Sequence, residues 1–394
     1  MWSTDLHSID YTFLGALGLL FLAQLYFYAR YMCAPARRLR KGKKQATVDA
    51  PTSDAPGVSV ILCAHNESEN LSHFLQALLT QDYPTYEVIV VDDGSEDNTR
   101  LVIERYLAFD KRLHMTFVPY GARVRSTKKL ALTLAAKAAQ YDYLLLTDAD
   151  CIPAGPHWIS EMMQGFVGGK KQKDVVLGFG AYFKQKGFIN RMVRFDTLFN
   201  GLHYLGAAIC GHPYMGVGRN LAYRKSLFFE SGGYTQLMDV RAGDDDLFVN
   251  RVATRKNTGV VVKPESFTWS LSKTSLKEWI QQKQRHLSVS PKYRFGTKFR
   301  LCLEPLTRGL FYAAVIATMV LYWPTCLEEI SIPFTAAAGV FLLRWILQTA
   351  VINTSAKRMG LHRFNMLSIL WFDITLPLLS LVLLIPSRRK INTW

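Results

Sequence analysis

Cysteine is scarce and unpatterned in this chain. Six cysteines, at positions 33, 63, 151, 210, 302 and 326, are scattered through 394 residues with no Cys-x-x-Cys pair and no compact framework. That excludes a disulfide-stapled scaffold and a zinc finger, and it predicts reduced thiols in a cytosol-facing protein. No RNA-binding aromatic motif accompanies the basic run that follows the first apolar stretch, so the net charge of +16 does not indicate nucleic acid as a partner. Residues 1–10 hold two aspartates and no lysine or arginine, unlike the basic start of a cleaved signal peptide. No internal repeat is visible.

The chain is rich in apolar runs separated by a polar middle. Hydrophobic content of 49% and a mean hydropathy of +0.06 suit a soluble domain joined to membrane helices. Residues 1–10 read as an external amino terminus, 11–31 as a transmembrane anchor and 32–56 as a basic linker. The anchor has the roughly 20 residues that span a hydrocarbon core of about 30 Å. Six of the eight residues from Arg37 to Lys44 are basic, which places them inside by the charge rule and attracts anionic membrane lipid. Residues 271–304 read as an amphipathic and interfacial segment, 305–323 and 333–352 as further spans, and 366–386 as a span or a re-entrant element, because Asp373 and Pro377 interrupt it.

Residues 57–270 read as the catalytic domain. Val58–Ala64, Glu87–Val91, His114–Val118 and the Leu144–Leu146 run predict strands. Ser68–Leu79, Arg100–Phe109 and Lys129–Ala139 predict helices between them. This alternation predicts an α/β fold, a mostly parallel Rossmann-like sheet wrapped by helices. From Lys170 to Arg255 the periodicity blurs, which predicts binding loops rather than sheet.

Three of these strands run into polar groups: His65-Asn66-Glu67, Asp92-Asp93-Gly94-Ser95 and Asp148-Ala149-Asp150. In a parallel sheet such ends share one edge, where ligands bind. Paired carboxylates with oxygen-only ligands suit Mg²⁺ or Mn²⁺ held against substrate phosphates. A plain turn before Pro153 is the bland alternative for Asp148 and Asp150.

In motif order the chain resembles the inverting family 2 glycosyltransferases of the GT-A fold, from about Val58 to His286. The run Val58–Glu67 is similar to the family's opening strand, and Val90–Thr99 to its nucleotide-binding turn. Lys128–Leu132 is similar to a donor-side element, and Thr147–Asp150 to the family's metal-holding DxD. Gly218–Arg224 resembles an acceptor-side segment. Gly243–Arg251 resembles the catalytic segment, with Gly243 replacing an acid, and Gln282–His286 resembles QxxRW with His286 replacing the Trp.

The resemblance implies transfer from a nucleotide-diphosphate sugar donor to a lipid-linked or envelope-glycan acceptor, on the cytoplasmic side of a bacterial inner membrane. It implies Asp244 as the base, with Asp245 as the alternative, and Arg285 and Gln282 in the catalytic group. Donor contacts fall to Asn66, Glu67, Asp92, Asp93, Lys128, Asp148 and His286, and Asp148 and Asp150 hold the metal. A processive polysaccharide synthase is the second enzymatic reading. A degenerate sugar-nucleotide-binding scaffold is the non-enzymatic one.

Overall fold

The computed structural model describes residues 2–42, 54–119, 121, 122, 124–167, 172–323 and 332–383. α1 (Trp2–Phe27) runs through a π turn at Tyr28–Met32 into α2 (Ala34–Gly42). The Arg37 guanidinium folds back onto this junction and donates to the Ala29 carbonyl at 2.5 Å. The stretch 32–56, expected as a linker, is therefore helical as far as Gly42, and 43–53 lies outside the described residues.

β1 (Val58–Ala64), α3 (Ser68–Leu79), β2 (Tyr86–Asp92), α4 (Thr99–Leu107), β3 (Leu113–Phe117), α5 (Thr127–Ala138) and β4 (Tyr143–Leu146) follow in the expected alternation. Both β1 and β2 are buried along their whole length. They carry continuous apolar runs because each of their faces is covered by helices. Val58, Val60 and Leu62 face one core with Leu71 and Leu75 of α3, while Ile61 and Cys63 face the other with Ala131 and Ala135 of α5.

The second half departs from expectation. Between Lys170 and Arg255 the chain builds strands and a long helix rather than binding loops alone. The elements from here on are β5 (Cys151–Pro153), α6 (Trp158–Val167), β6 (Val175–Leu177), β7 (Gly180–Tyr182), α7 (Phe188–Ile209), β8 (Leu221–Arg224), α8 (Lys225–Glu230), α9 (Asp246–Val252), β9 (Thr258–Val260) and β10 (Thr268–Ser270). The strands of three residues are too short to show a period. α7 buries residues on several faces, including Met192, Phe195, Leu198 and Tyr204, since it packs on both sheet and membrane helices.

The main sheet has the order β3-β2-β1-β4-β8-β6-β9, and β5-β10-β7 form a small second sheet. Only β8 runs antiparallel to its neighbours in the main sheet, with Leu146 of β4 opposite Leu221. β8 therefore enters the sheet at the edge where β4 leaves it.

α10 (Leu276–Leu287), α11 (Phe295–Leu321), α12 (Ile332–Arg358) and α13 (Met366–Leu383) complete the described chain. Tyr11–Met32, α11, α12 and α13 are long and apolar enough to cross a membrane. α11 begins at Phe295, not at 305, and carries Pro305 inside it, so the expected interfacial segment is partly the first turns of this helix. α12 likewise extends past the expected 352 to Arg358. Asp373 does not break α13. Its carboxylate accepts from Arg308 Nη1 at 2.8 Å, Arg344 Nη1 at 3.0 Å and the Tyr312 hydroxyl at 2.6 Å. Arg344 also donates to Gln24 Oε1 at 3.0 Å, so side chains of all four candidate spans meet in one buried network.

Candidate active site

The polar ends of β1, β2 and β4 converge as parallel strands require, and the loop before β8 joins them. At the first end Asn66 adopts φ +57°, the one left-handed non-glycine residue among those described. Its side-chain carbonyl accepts from the Glu96 amide at 2.8 Å, and its own amide donates to Ser95 Oγ at 3.0 Å, which ties the first strand end to the second. The Glu67 amide donates to Thr99 Oγ1 at 2.8 Å, and the Glu67 carboxylate accepts from Asn70 at 2.6 Å. Burial pushes the Glu67 carboxyl above its usual range, and Asp150 and Asp148 add to that.

Asp92 and Asp93 are both buried. Asp92 Oδ1 accepts from the Ser95 amide at 3.0 Å and so shapes the turn, while the Asp93 carbonyl engages His65 Nδ1 at 2.7 Å.

Lys128 is the hinge of the site. Ser126 caps α5 by accepting from the Lys129 amide, and Lys128 then projects from the first turn. Its ammonium lies 2.8 Å from Asp148 Oδ1 and 3.6 Å from Asp244 Oδ2. Burial works against its charge, but the two carboxylates outweigh it and hold the ammonium well above its ordinary value. The neighbouring Lys129 turns the other way. It donates to the carbonyls of Val240 at 2.5 Å and Ala242 at 2.8 Å, which fixes the loop that leads into Asp244.

The three consecutive carboxylates from Asp244 occupy different environments. Gly243 stands at φ +86°, a conformation that an L side chain rarely adopts, which accounts for glycine in the place of an acid. Burial raises the Asp244 carboxyl, but Lys128 and Lys129 outweigh it and keep the group below its usual range, ionised at neutral pH. Asp245 accepts from the Gly218 amide with one oxygen and from the Asp246 amide with the other, both at 2.7 Å. Burial and then Asp244 push Asp245 up to about 6. Asp246 takes the Tyr293 hydroxyl at 2.9 Å, and burial followed by Asp245 pushes it up to about 8.

Asp148, Asp150 and Cys151 bring ligand atoms within 4.8 Å of one another. The two carboxylates fit a hard cation. Burial and the neighbouring Asp148 push the Asp150 carboxyl up, a strain that a bound cation relieves. Cys151 lies beside them, where burial pushes its thiol well above its usual range and it donates to Asp150 Oδ1 at 3.4 Å.

Arg219 was not singled out by the sequence, beyond its place in the Gly218–Arg224 run. It lies at the shared edge because β8 begins there. Its guanidinium stacks on the Tyr182 ring at 4.3 Å and acts on Asp150. Gly180 makes the room, as a Cβ there would come within 2.2 Å of Arg219 Nε. The Tyr182 hydroxyl in turn accepts from Gln282 Nε2 at 3.3 Å, so Gln282 reaches the site through Tyr182 and Arg219. Arg285 helps hold Asp244 in its charged form. His286 is exposed at the same end of α10, within electrostatic reach of Arg285, Arg219 and Asp244. Trp158, by contrast, is fully buried core and donates to Asn220 at 3.1 Å.

Residues 59–232 match the family model described as glycosyl transferase family 2. Asp244 and Gln282–His286 lie beyond that match. A poly-beta-1,6-N-acetyl-D-glucosamine synthase of Staphylococcus epidermidis is 34% identical over 96 residues, covering 24% of this chain and 22% of that protein. A chondroitin synthase of Escherichia coli is 24% identical over 244 residues, covering 54% of this chain and 34% of that protein. The chain thus spans about a fifth to a third of the length of these relatives. Among solved structures, a mannosyltransferase from Pyrobaculum calidifontis in complex with GDP-Man and Mn²⁺ superposes with a TM-score of 0.51 at 18% identity, covering 87% of this chain and 99% of that one. Residues 59–232 thus match the family 2 glycosyl transferases, within a chain of GT-A fold whose flanking helices are long and apolar enough to cross a membrane.

Proposed function

We propose that the protein transfers a sugar, with inversion, from a nucleotide-diphosphate sugar to an acceptor hydroxyl at the cytoplasmic face of a bacterial inner membrane. The observation that carries this reading is the Lys128 bridge. A single ammonium contacts Asp148, of the metal-binding pair, and approaches Asp244, the candidate base. Donor phosphates and acceptor hydroxyl would then meet within one side chain's reach.

Inverting transfer needs a base on the side of the anomeric carbon opposite the leaving group. Asp244 suits it better than Asp245, because both Asp245 oxygens are engaged by backbone amides whereas Asp244 Oδ2 faces the Lys128 ammonium at 3.6 Å. Asp244 takes the acceptor hydroxyl proton as that oxygen forms the new glycosidic bond and the bond to the diphosphate breaks. Arg285 suits the departing diphosphate, since a guanidinium forms paired bonds to phosphate oxygens. Mg²⁺ or Mn²⁺ held by Asp148 and Asp150 would supply charge neutralisation of that leaving group. Asn66, Glu67, Asp92 and Asp93 would frame the nucleotide, with His286 at the rim, and Gln282 would position Arg219 through Tyr182.

The acceptor we propose is lipid-linked or an envelope glycan. The polymer-synthase names of the relatives favour a processive synthase as the second reading. Against it stands the space among the four candidate spans, which is filled by Gln24, Arg308, Arg344 and Asp373 rather than open to a polymer. Mass spectrometry of products, from purified enzyme given a panel of nucleotide sugars and membrane lipid extract, tests the reading. A single sugar added to one acceptor is expected. A ladder of products would favour the synthase, and no transfer from any donor would contradict both.

A further inference from the structure

Beside α12 and α13, away from the carboxylates, lies a cavity of about 730 Å³. That is within the roughly 300–1,000 Å³ of small-molecule sites. Arg40, Lys357, Arg358 and Arg363 line it, with Leu39 and Ile346 among its apolar residues and no acidic residue in the lining. Among the described residues none of these four cations forms an ion pair. Arg358 donates to the Ala36 carbonyl at 3.1 Å, which joins α2 to α12. Thr349 also lines the groove, and its hydroxyl is buried without a hydrogen-bond partner.

Four cations without an ion pair among the described residues, two of them in the last turn of a candidate membrane span, stand over an apolar wall and are matched by an amphiphile with an anionic head. We infer that this groove is a binding site for one anionic glycerophospholipid molecule, its phosphate among Arg40, Lys357 and Arg363 and its acyl chains along Leu39 and Ile346. A free nucleotide would leave the apolar wall uncovered. A zwitterionic lipid would bring its own cation to a basic surface. The site shares no residue with the transfer site, so the inference does not depend on the proposed reaction. Lipid held here would seat the end of α2, and with it the junction between anchor and catalytic domain, against the membrane surface.

Native mass spectrometry of the full-length protein, delipidated in detergent and titrated with dioleoyl phosphatidylglycerol or dioleoyl phosphatidylcholine, tests this. One phosphatidylglycerol per chain should be retained, at least tenfold in preference to phosphatidylcholine. Lys357→Gln with Arg363→Gln should weaken that retention roughly tenfold or more, since each basic group near an anionic head contributes. Lys357→Arg with Arg363→Lys should keep it. Equal retention of the two lipids overturns the inference, as does unchanged affinity in the glutamine variant. A prenyl phosphate that displaces phosphatidylglycerol at equal concentration overturns the assignment to a glycerophospholipid. If the glutamine variant does not fold, the competition between lipids on the unaltered protein decides the matter.

Discussion

At the scale of residues, three adjacent aspartates stand in three different surroundings. Asp244→Asn should lower transfer by about 10²–10⁴-fold, the usual loss when a general base is removed. It should leave nucleoside diphosphate affinity near that of the unaltered protein. Asp245→Asn should instead lower the melting temperature, because one of the two oxygens that accept from Gly218 and Asp246 becomes an amide nitrogen, which can only donate. Single-turnover rates and thermal melts of the two variants separate these outcomes. A dead Asp245→Asn enzyme of normal stability, beside an active Asp244→Asn one, would move the base by one residue.

Asp246 carries a pH signature. Its carboxyl titrates at about 8 when folded, against about 4 for a free aspartate. The folded chain therefore holds a proton that the unfolded chain gives up, and stability falls as pH rises from about 4 to 8 before levelling. Melting curves of wild type and Asp246→Asn across that range should diverge, the variant losing less. Parallel curves would mean that Asp246 is ionised in the folded protein. Asp148, Asp150 and the Asp244 cluster were legible in the sequence because carboxylates at strand ends form local runs. Arg219 and Tyr182 were not, because they meet only through the antiparallel entry of β8 and the β7 turn, which no local pattern encodes.

At the scale of elements, β1 and β2 were readable as unbroken apolar runs buried on both faces, and α3 and α5 because each buries a single apolar stripe. α7 was not, because Phe195 packs on Phe364 and Phe372 while Tyr204 reaches back to the Gly178 carbonyl, so its apolar residues follow no single stripe. The last helix was ambiguous for a related reason. Asp373 looks like a helix breaker until Arg308 and Arg344, on two other helices, are placed beside it. Asp373→Asn would leave buried Arg344 without a counter-charge and Arg308 with Glu304 alone, and breaking such a buried pair costs about 3–5 kcal/mol. The purified variant should melt well below the parent, and adding Arg344→Met should recover part of the loss, as coupled residues do. An unchanged melting temperature in Asp373→Asn would show that the network contributes nothing to helix assembly.

At the scale of the whole molecule, the catalytic sheet and the apolar helices form one packed body, with α7 lodged between them. The proposed cytoplasmic placement of the sheet rests on the basic run after the first span. In a chain whose native cysteines are replaced, a membrane-impermeant thiol reagent applied to intact cells should label Asp5→Cys and spare Ala50→Cys. The opposite pattern would put the carboxylates outside, away from cytosolic nucleotide sugars, and the proposed reaction would fall with it.

The central claim is that the carboxylates joined by Lys128 form a metal-assisted nucleotide-sugar site, and calorimetry reaches it most directly. Full-length protein in detergent is titrated with UDP, GDP and dTDP, with Mn²⁺ or Mg²⁺ and then with chelator, alongside Asp150→Asn. One nucleotide should bind in the presence of metal, and chelator or the Asp150→Asn substitution should each remove that binding while the protein stays folded. Nucleotide binding of equal strength in all three conditions, or none in any, would contradict the claim.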